Sequence, residues 1–203
     1  MSSAPRLYVH SGFLDPDVLA ALHRECDGAV GTPAEVHREA LGHVSLRRGI
    51  RRTWELDLSD ALQDRLVEAV EAARGAMEQF FSVHVEPCDA VAALRYPPGA
   101  FYRTHRDVSR QPTPDGLHRR AISIVIFVNS GAPAAGAAFS GGRLRLHDLP
   151  GAEGDVHDVV PVAGTLVAFD SSVLHEVTPV DGGTRLSLVT WLLRPDHASS
   201  DAS

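Results

Sequence analysis

The spacing of apolar residues in the first part of the chain, residues 1 to about 85, indicates two helices. The segment from Asp15 to Cys26 favours a short helix, with Asp15 expected as the N-cap and Pro16 as the first helical residue. After Ser59, which is expected to cap a second helix, apolar residues recur at intervals of three and four. They are Leu62, Leu66, Val70, Ala73, Met77 and Phe80. This spacing predicts one buried stripe along the second helix.

From about residue 88 onward the pattern changes to short runs of Val, Ile, Leu and Phe, separated by Gly, Pro and Asp. An earlier strand is indicated at residues 54–58, where apolar and acidic residues alternate. The later predicted strands are Val91–Tyr96, Ala121–Val128, Arg143–His147, Val156–Val160, Thr165–Phe169, Val173–Val177 and Arg185–Leu193. Several short strands at this spacing are typical of a sandwich or closed barrel. We expect the N-terminal helices to pack on the outside of one sheet.

The length of the chain, 203 residues, suits one domain, and a hydrophobic share of 44% is enough for a sizeable core. We predict a single domain over residues 1–197. Residues 1–87 would provide supporting helices and strands, and residues 88–194 would form the β core. The polar residues 198–203 are predicted to be a disordered tail.

Composition excludes some classes of partner. The formal net charge is -7 and the pI is about 5.8, so we expect no nucleic-acid partner, because binding phosphates needs basic surface. The longest apolar stretch, Ala121–Val128, is too short to span a bilayer, and the first ten residues do not resemble a signal peptide. Cys26 and Cys88 fit no metal or redox spacing and are expected to be reduced, buried thiols. These features predict a cytoplasmic protein without a membrane partner.

A His-x-Asp motif, His105 and Asp107, directly follows the run at residues 101–104, and His175 lies in a later predicted strand. Residues i and i+2 of an extended segment point the same way, so the first two side chains can reach one metal. Two imidazoles and one carboxylate on one side of iron(II) leave three positions open, which suits a chelating 2-oxo acid and O2. The motif alone has low weight in this histidine-rich chain. His-x-Glu pairs also occur at His23/Glu25, His37/Glu39 and His84/Glu86.

Arg185, ten residues after His175, adds to this prediction. In a strand, Arg185, Ser187 and Trp191 share one face. If that face is interior, the guanidinium needs a carboxylate partner, because an unpaired buried charge is costly. The 5-carboxylate of 2-oxoglutarate would provide one through a bidentate pair. The alternative is a surface arginine that follows a turn.

Residues 91–193 resemble the catalytic core of the prolyl 4-hydroxylase-like branch of Fe(II)/2-oxoglutarate oxygenases. The matching stretches occur in the same order as in that family. They are Tyr96-Pro97-Pro98-Gly99, Tyr102, His105-x-Asp107, Arg120-Ala121-Ile122-Ser123, Gly141-Gly142-Arg143-Leu144, Val160 through Gly164, Phe169, His175-Glu176-Val177, Pro179-Val180 and Arg185 through Trp191. An ordered series over about half of the chain is far more specific than any single motif. The resemblance implies a double-stranded β-helix (jelly-roll) core.

The resemblance also implies roles for individual residues. It assigns His105, Asp107 and His175 as iron ligands, and Arg185 as the residue that binds the 2-oxoglutarate 5-carboxylate. The remaining assignments concern the co-substrate and the substrate pocket. For the co-substrate, Tyr96 matches a tyrosine that hydrogen-bonds it, and Ser187 supplies a hydroxyl. In the substrate pocket, Phe127 replaces a tyrosine of some members, and Trp191 matches an aromatic residue of the pocket floor. Further pocket candidates are Tyr102, Arg120 and Arg48.

The implied reaction is hydroxylation of an unactivated C–H bond, with 2-oxoglutarate and O2 as co-substrates, succinate and CO2 as products, and ascorbate as a candidate reductant. Because Asp107 is retained, hydroxylation is favoured over halogenation. The family favours a prolyl substrate in a peptide, and the alternatives are a free amino acid or a natural-product intermediate. The sequence does not indicate an oligomeric state.

Three alternatives stay open at this point. The Arg47–Arg52 segment is either a mobile loop that shapes the pocket mouth and meets an acidic substrate, or a solvated basic loop. A non-enzymatic jelly-roll binding or sensor module would show damage among the ligands, and all four key residues are intact. A cupin-type metalloenzyme without 2-oxoglutarate would not require Arg185.

Overall fold

The computed structural model describes residues 6–34, 36–37, 44–45, 49–88, 90–147 and 156–196, with the backbone alone at 36–37 and 44–45. Its helices are α1, Pro16–Gly28, and α2, Asp60–Phe81. The strands are β1 (Leu7–His10), β2 (Thr32–Pro33), β3 (Val36–His37), β4 (Val44–Ser45), β5 (Arg51–Arg52), β6 (Trp54–Leu56), β7 (Ala92–Tyr96), β8 (Phe101–His105), β9 (Arg120–Phe127), β10 (Phe139–Gly141), β11 (Leu144–His147), β12 (Val156–Val159), β13 (Leu166–Asp170), β14 (His175–Val177), β15 (Val180–Gly183) and β16 (Arg185–Leu193). The predicted tail, residues 198–203, lies outside the described residues.

Two larger antiparallel sheets form the β core. One has the strand order β1-β13-β9-β16-β7-β6-β2 and the other β12-β11-β14-β8-β5. Their inner faces share a core, in which Phe127 and Phe169 of the first sheet pack with Leu144 and Leu146 of the second. Two antiparallel sheets packed face to face in this way form a jelly roll. The predicted mainly β, double-stranded β-helix fold is therefore confirmed.

The side chains of β9 divide between the two faces of its sheet, because successive residues of a strand point to opposite sides. Ile122, Ile124 and Ile126 pack against the helices, whereas Val125 and Phe127 belong to the core between the sheets. The helices contribute Val18, Leu22, Cys26, Leu62, Leu66, Val70 and Met77 to the outer cluster. The predicted packing of the N-terminal helices on one sheet is confirmed. Among the described residues, no helix is long and apolar enough to cross a membrane.

Both helices begin where the sequence predicts, but neither is capped by the side chain at its N-cap. The hydroxyl of Ser59 donates instead to Glu25 Oε1 at 2.7 Å, and the Ser59 backbone N–H donates to Glu25 Oε2 at 2.8 Å. A carboxylate is a stronger acceptor than a neutral group, which explains why the serine hydroxyl acts as a donor here. These hydrogen bonds lower the pKa of the Glu25 carboxyl and join the C-terminal part of α1 to the start of α2.

Strand boundaries follow the sequence pattern best where apolar residues are dense. β16 has the predicted bounds, whereas β14 begins only at His175, because a turn occupies residues 171–173. The sequence pattern did not indicate β15, which contains Asp181 and two glycines. Gly183 has a φ of +72°, and a Cβ there would lie 2.2 Å from the carbonyl oxygen of Ala138. This close approach of two backbones requires glycine within the strand.

Candidate active site

The pairing of β8 with β14 brings the three predicted metal ligands together. His105 ends β8 and is the register partner of His175, the first residue of β14, while Asp107 follows β8 by two residues. The ligand atoms of the three side chains all lie within 4.8 Å of one another. The Nε2 atom of His105 lies 3.3 Å from Asp107 Oδ1, and that of His175 lies 3.6 Å from Asp107 Oδ2. One metal ion can therefore contact all three.

Both imidazoles are oriented by the backbone. Nδ1 of His105 lies 2.8 Å from the carbonyl oxygen of Arg103, and Nδ1 of His175 lies 2.9 Å from that of Val173. A carbonyl oxygen can only accept a hydrogen bond, so each Nδ1 carries a proton, and Nε2 is the ring nitrogen left to bind a metal. This is the arrangement that metal-ligating histidines adopt in general.

The carboxylate of Asp107 is held from the opposite sheet. Its Oδ2 accepts hydrogen bonds from Ser123 Oγ at 2.7 Å and from Trp191 Nε1 at 3.0 Å. Burial alone would raise the pKa of this carboxyl, but His175, His105 and the bond from Ser123 hold the pKa well below its usual range. Asp107 is therefore an anion, with Oδ2 occupied by two donors and Oδ1 left for a metal.

Replacing Trp191 with phenylalanine is expected to weaken metal binding about tenfold, because the loss of a hydrogen bond to a ligand typically costs 10- to 100-fold in affinity. Phenylalanine removes the indole N–H that Asp107 accepts and keeps an aromatic ring. Calorimetric titration with Mn(II) measures the effect without turnover. Trp54→Phe, in β6, is the matched control and should leave the affinity unchanged. Equal affinities in the two variants would contradict a positioning role for Trp191.

The pKa of His175 is lowered to about 4, first because the side chain is buried and second because His105 is adjacent. Unfolding returns the pKa to its ordinary value of 6.5, so between these limits the unfolded chain binds more protons. The free energy of unfolding of the metal-free protein is therefore expected to fall as the pH decreases from 6.5 to about 4. Urea denaturation at a series of pH values measures this decrease. It should be smaller in His175→Gln, and an identical decrease in both proteins would contradict the prediction.

Arg185, the first residue of β16, is 1% exposed and faces its register partner Tyr96. Its Nη1 donates to Ser187 Oγ at 2.7 Å, and its Cζ lies 4.7 Å from the centre of the Tyr96 ring. Burial lowers the pKa of this arginine, and the neighbouring Tyr96 partly opposes that change. The buried Nε has no hydrogen-bond partner, and in the described part of the chain no carboxylate lies within ion-pair distance of the guanidinium.

A cavity of about 1100 Å³ contains both the ligand triad and Arg185. Its walls come from both large sheets, with apolar residues such as Leu94, Val125 and Val177 between the polar groups. The triad offers nitrogen and carboxylate ligands of the kind that iron(II) accepts, with open positions on the cavity side. The buried cation of Arg185, with its unpartnered Nε, fits a carboxylate at the other end of a small ligand.

Most of the residues predicted to contact the co-substrate or the substrate line the cavity, and Phe127 does not. Tyr96 and Ser187 line the cavity next to Arg185. Tyr102 also lines it, and its ring stacks on the ring of His105 with centroids 3.6 Å apart. Burial raises the pKa of Tyr102 to about 12, so its hydroxyl stays protonated. Phe127 is fully buried and is not part of the cavity wall, because it packs in the core with its ring 5.6 Å from Arg185 Cζ.

Only some of the arginines that were predicted at or near the substrate pocket lie within the described residues. Arg120 lines the cavity, with its Cζ 3.4 Å from the centre of the Trp191 ring. Arg47 and Arg48 lie outside the described residues. Arg51, which follows them, lines the cavity and lies over the ring of Tyr102 at 4.8 Å. The mobility of this segment stays a prediction.

Sequence reasoning did not single out Ser123 and Ser171. The hydroxyl of Ser171 lies 2.9 Å from that of Ser123, which in turn donates to Asp107. Ser171 thus supports the donor that holds the metal ligand. One signal was available, because Ser123 is a lone polar residue on the inward face of an otherwise apolar strand, and such a residue needs a buried partner.

A sequence model of the 2OG-Fe(II) oxygenase superfamily matches residues 91–193. This chain belongs to that superfamily, and the resemblance of the same residues to its prolyl 4-hydroxylase-like branch is confirmed. The name of the family specifies iron(II) and 2-oxoglutarate, which are the two groups that the triad and Arg185 fit.

Individual relatives support the assignment. A crystal structure of a Pseudomonas putida prolyl-4-hydroxylase is 33% identical, with a TM-score of 0.67 over 94% of this chain and 93% of that chain. A PKHD-type hydroxylase of Shewanella baltica strain OS185 is 31% identical over 144 residues, which is 70% of this chain and 60% of that protein. One from Klebsiella pneumoniae strain 342 is 33% identical over 146 residues, with the same shares. The chain therefore spans about 60% of the length of the curated relatives it matches.

Proposed function

We propose that this protein is an Fe(II)- and 2-oxoglutarate-dependent hydroxylase that inserts oxygen into an unactivated C–H bond of a prolyl or other amino-acid-derived substrate. The observation that carries this proposal is the set of residues that line one cavity. A metal-ligand triad with an open side lines the same space as Arg185, which is fully buried and pairs with no carboxylate of the described residues. A binding module would need neither a reactive metal nor a buried cation beside it.

Iron(II) and 2-oxoglutarate, when bound, would activate O2, which is the oxidant: one oxygen atom would enter the substrate C–H bond and the other would enter succinate, released together with CO2. The residues of the chain hold and orient these groups. His105, Asp107 and His175 would hold the metal, and Arg185 with Ser187 would bind the distal carboxylate of the co-substrate. The apolar residues of the wall would limit the access of water to the reacting groups.

The relatives favour an amino-acid-derived substrate. The Pseudomonas putida structure, which covers nearly all of this chain, is of a prolyl-4-hydroxylase. A peptide or small molecule also suits the net charge of -7 better than a nucleic acid does. Both cysteines are buried and are not joined in a disulfide, which suits a reducing compartment, and we place the activity in the cytoplasm.

Succinate release by the purified protein tests the proposed function. With Fe(II), 2-oxoglutarate, ascorbate and O2, addition of a peptidyl-proline or free amino-acid substrate should give succinate and hydroxylated product in equal amounts. His175→Ala should abolish both, while His147→Ala, an imidazole outside the cavity, should not. Without a 2-oxoglutarate absorption band on the anaerobic Fe(II) protein, and without succinate in any assay, the proposal would be refuted.

A further inference from the structure

The cavity wall is positively charged, in contrast to the chain as a whole. The described residues that line it include two acidic residues and five arginines: Glu55, Asp107, Arg51, Arg106, Arg110, Arg120 and Arg185. The formal net charge of the complete chain is -7. A cleft lined by one sign of charge attracts ligands of the opposite sign and raises their local concentration. The ligands of this cavity are therefore expected to be anionic.

The cofactors account for only part of this charge. If the proposed function holds, the formal charges of iron(II), the 2-oxoglutarate dianion, Asp107 and Arg185 cancel one another. Among the described residues, the rest of the wall then carries four arginines against one acidic residue, Glu55.

Arg120 has the most defined geometry of these four arginines. Its guanidinium lies over the indole of Trp191, with 3.4 Å between Cζ and the ring centre. Its Nη1 lies 3.5 Å from the backbone carbonyl oxygen of Asp107, so the group is held directly beside the metal triad. Stacking on an aromatic ring restricts a guanidinium to one plane and leaves its N–H edge available to an acceptor.

Among the described residues, no carboxylate forms an ion pair with Arg120. Asp107 and Asp115 contribute favourable electrostatic interactions, but neither forms an ion pair with it, and the side chain is only half-buried. A guanidinium has five N–H donors, and to the described part of the chain this one makes a single long hydrogen bond. Its remaining donors match the two oxygens of a carboxylate, which accept in parallel.

We propose that the substrate carries a carboxylate that binds Arg120, so that the site accepts an acidic peptide segment or a free amino acid through its own carboxylate. This inference rests on the proposed function, because it takes the cavity to be an oxygenase site. The shared chemistry is a substrate carboxylate that pairs with the guanidinium of Arg120. The two sources differ in whether that carboxylate belongs to the α-carbon or to an acidic side chain.

Matched pairs of probes test the inference by calorimetry on the anaerobic protein with Fe(II) and 2-oxoglutarate. One pair is L-proline and L-prolinamide. The other is acetyl-Glu-Pro-Glu-amide and acetyl-Gln-Pro-Gln-amide. In at least one pair, the carboxylate member should bind at least about tenfold more tightly, since about 1.4 kcal/mol corresponds to tenfold. The pair that shows the preference identifies the source of the carboxylate.

Substitutions test whether Arg120 is the residue responsible for the preference for the carboxylate probe. Arg120→Gln should remove it, Arg120→Lys should keep part of it, and the cofactor absorption band should persist in both. Arg143→Gln is the matched control, because Arg143 pairs with Asp158 outside the cavity and should keep the full preference.

Three results would overturn the inference. The first is equal affinity within both pairs, which includes no binding of any probe. The second is a preference that survives in Arg120→Gln, which would exclude Arg120 as the partner. The third is the absence of the 2-oxoglutarate band from the wild-type protein, which would refute the proposed function together with the inference. The first two results with the band intact would refute the carboxylate subsite alone.

Discussion

Arg185→Ala is expected to raise the 2-oxoglutarate concentration needed for half-saturation roughly 30-fold or more, while Fe(II) binding stays intact. Removing one partner of a charge-assisted pair in a partly desolvated site costs on the order of 2–5 kcal/mol, and about 1.4 kcal/mol corresponds to tenfold. The guanidinium is 1% exposed, so water cannot replace the lost partner easily. The three metal ligands are not altered by this substitution.

The measurement is a 2-oxoglutarate titration of the anaerobic Fe(II) protein, followed by its metal-to-ligand absorption. Arg185→Lys keeps the charge and should have a smaller effect, although it loses the paired N–H donors. Arg145→Ala is the matched control, because Arg145 pairs with Asp158 and does not line the cavity. If Arg185→Ala binds 2-oxoglutarate as tightly as wild type, a cupin-type metalloenzyme without this co-substrate becomes the better hypothesis.

Alternation along β16 made much of this site predictable. A period of two places Arg185, Ser187 and Trp191 on one face, and the structure has all three on the cavity wall. The same rule placed His105 and Asp107 together. Periodicity gives the side of a strand but not the depth at which a side chain lies. Phe127, a predicted pocket candidate, shows this limit, because it packs in the core between the sheets and does not line the cavity.

The contacts that hold the metal ligands could not be predicted from spacing. Trp191 and Asp107 are 84 positions apart, and Ser123 and Ser171 are 48 apart. Such pairs depend on which strands become neighbours and in which register. Here β16 and β9 pair so that Trp191 and Ser123 are direct partners, and both reach the same oxygen of Asp107. Local pattern contains no information about that register.

The largest effect on metal binding is expected from the ligands themselves. His175→Ala should lower Fe(II) affinity by more than about 100-fold, because even the loss of a hydrogen bond to a ligand costs 10- to 100-fold. His175 is 5% exposed, and its Nε2 is one of only three ligand atoms in this cluster of described residues. With two ligands left, the ion would depend on water for its remaining positions. Calorimetry with Fe(II) under anaerobic conditions measures the loss.

Asp107→Asn separates the role of charge from that of shape. The amide keeps the size of the carboxylate and can still accept from Ser123 Oγ and Trp191 Nε1 through its oxygen. It then turns its NH2 group, which is not a metal ligand, towards His105 and the metal position. Iron affinity should therefore fall nearly as far as in His175→Ala, while the melting temperature of the metal-free protein changes little. His147→Ala, an imidazole outside the cavity, should bind iron normally. Full iron loading in both Asp107→Asn and His175→Ala would show that the metal lies elsewhere.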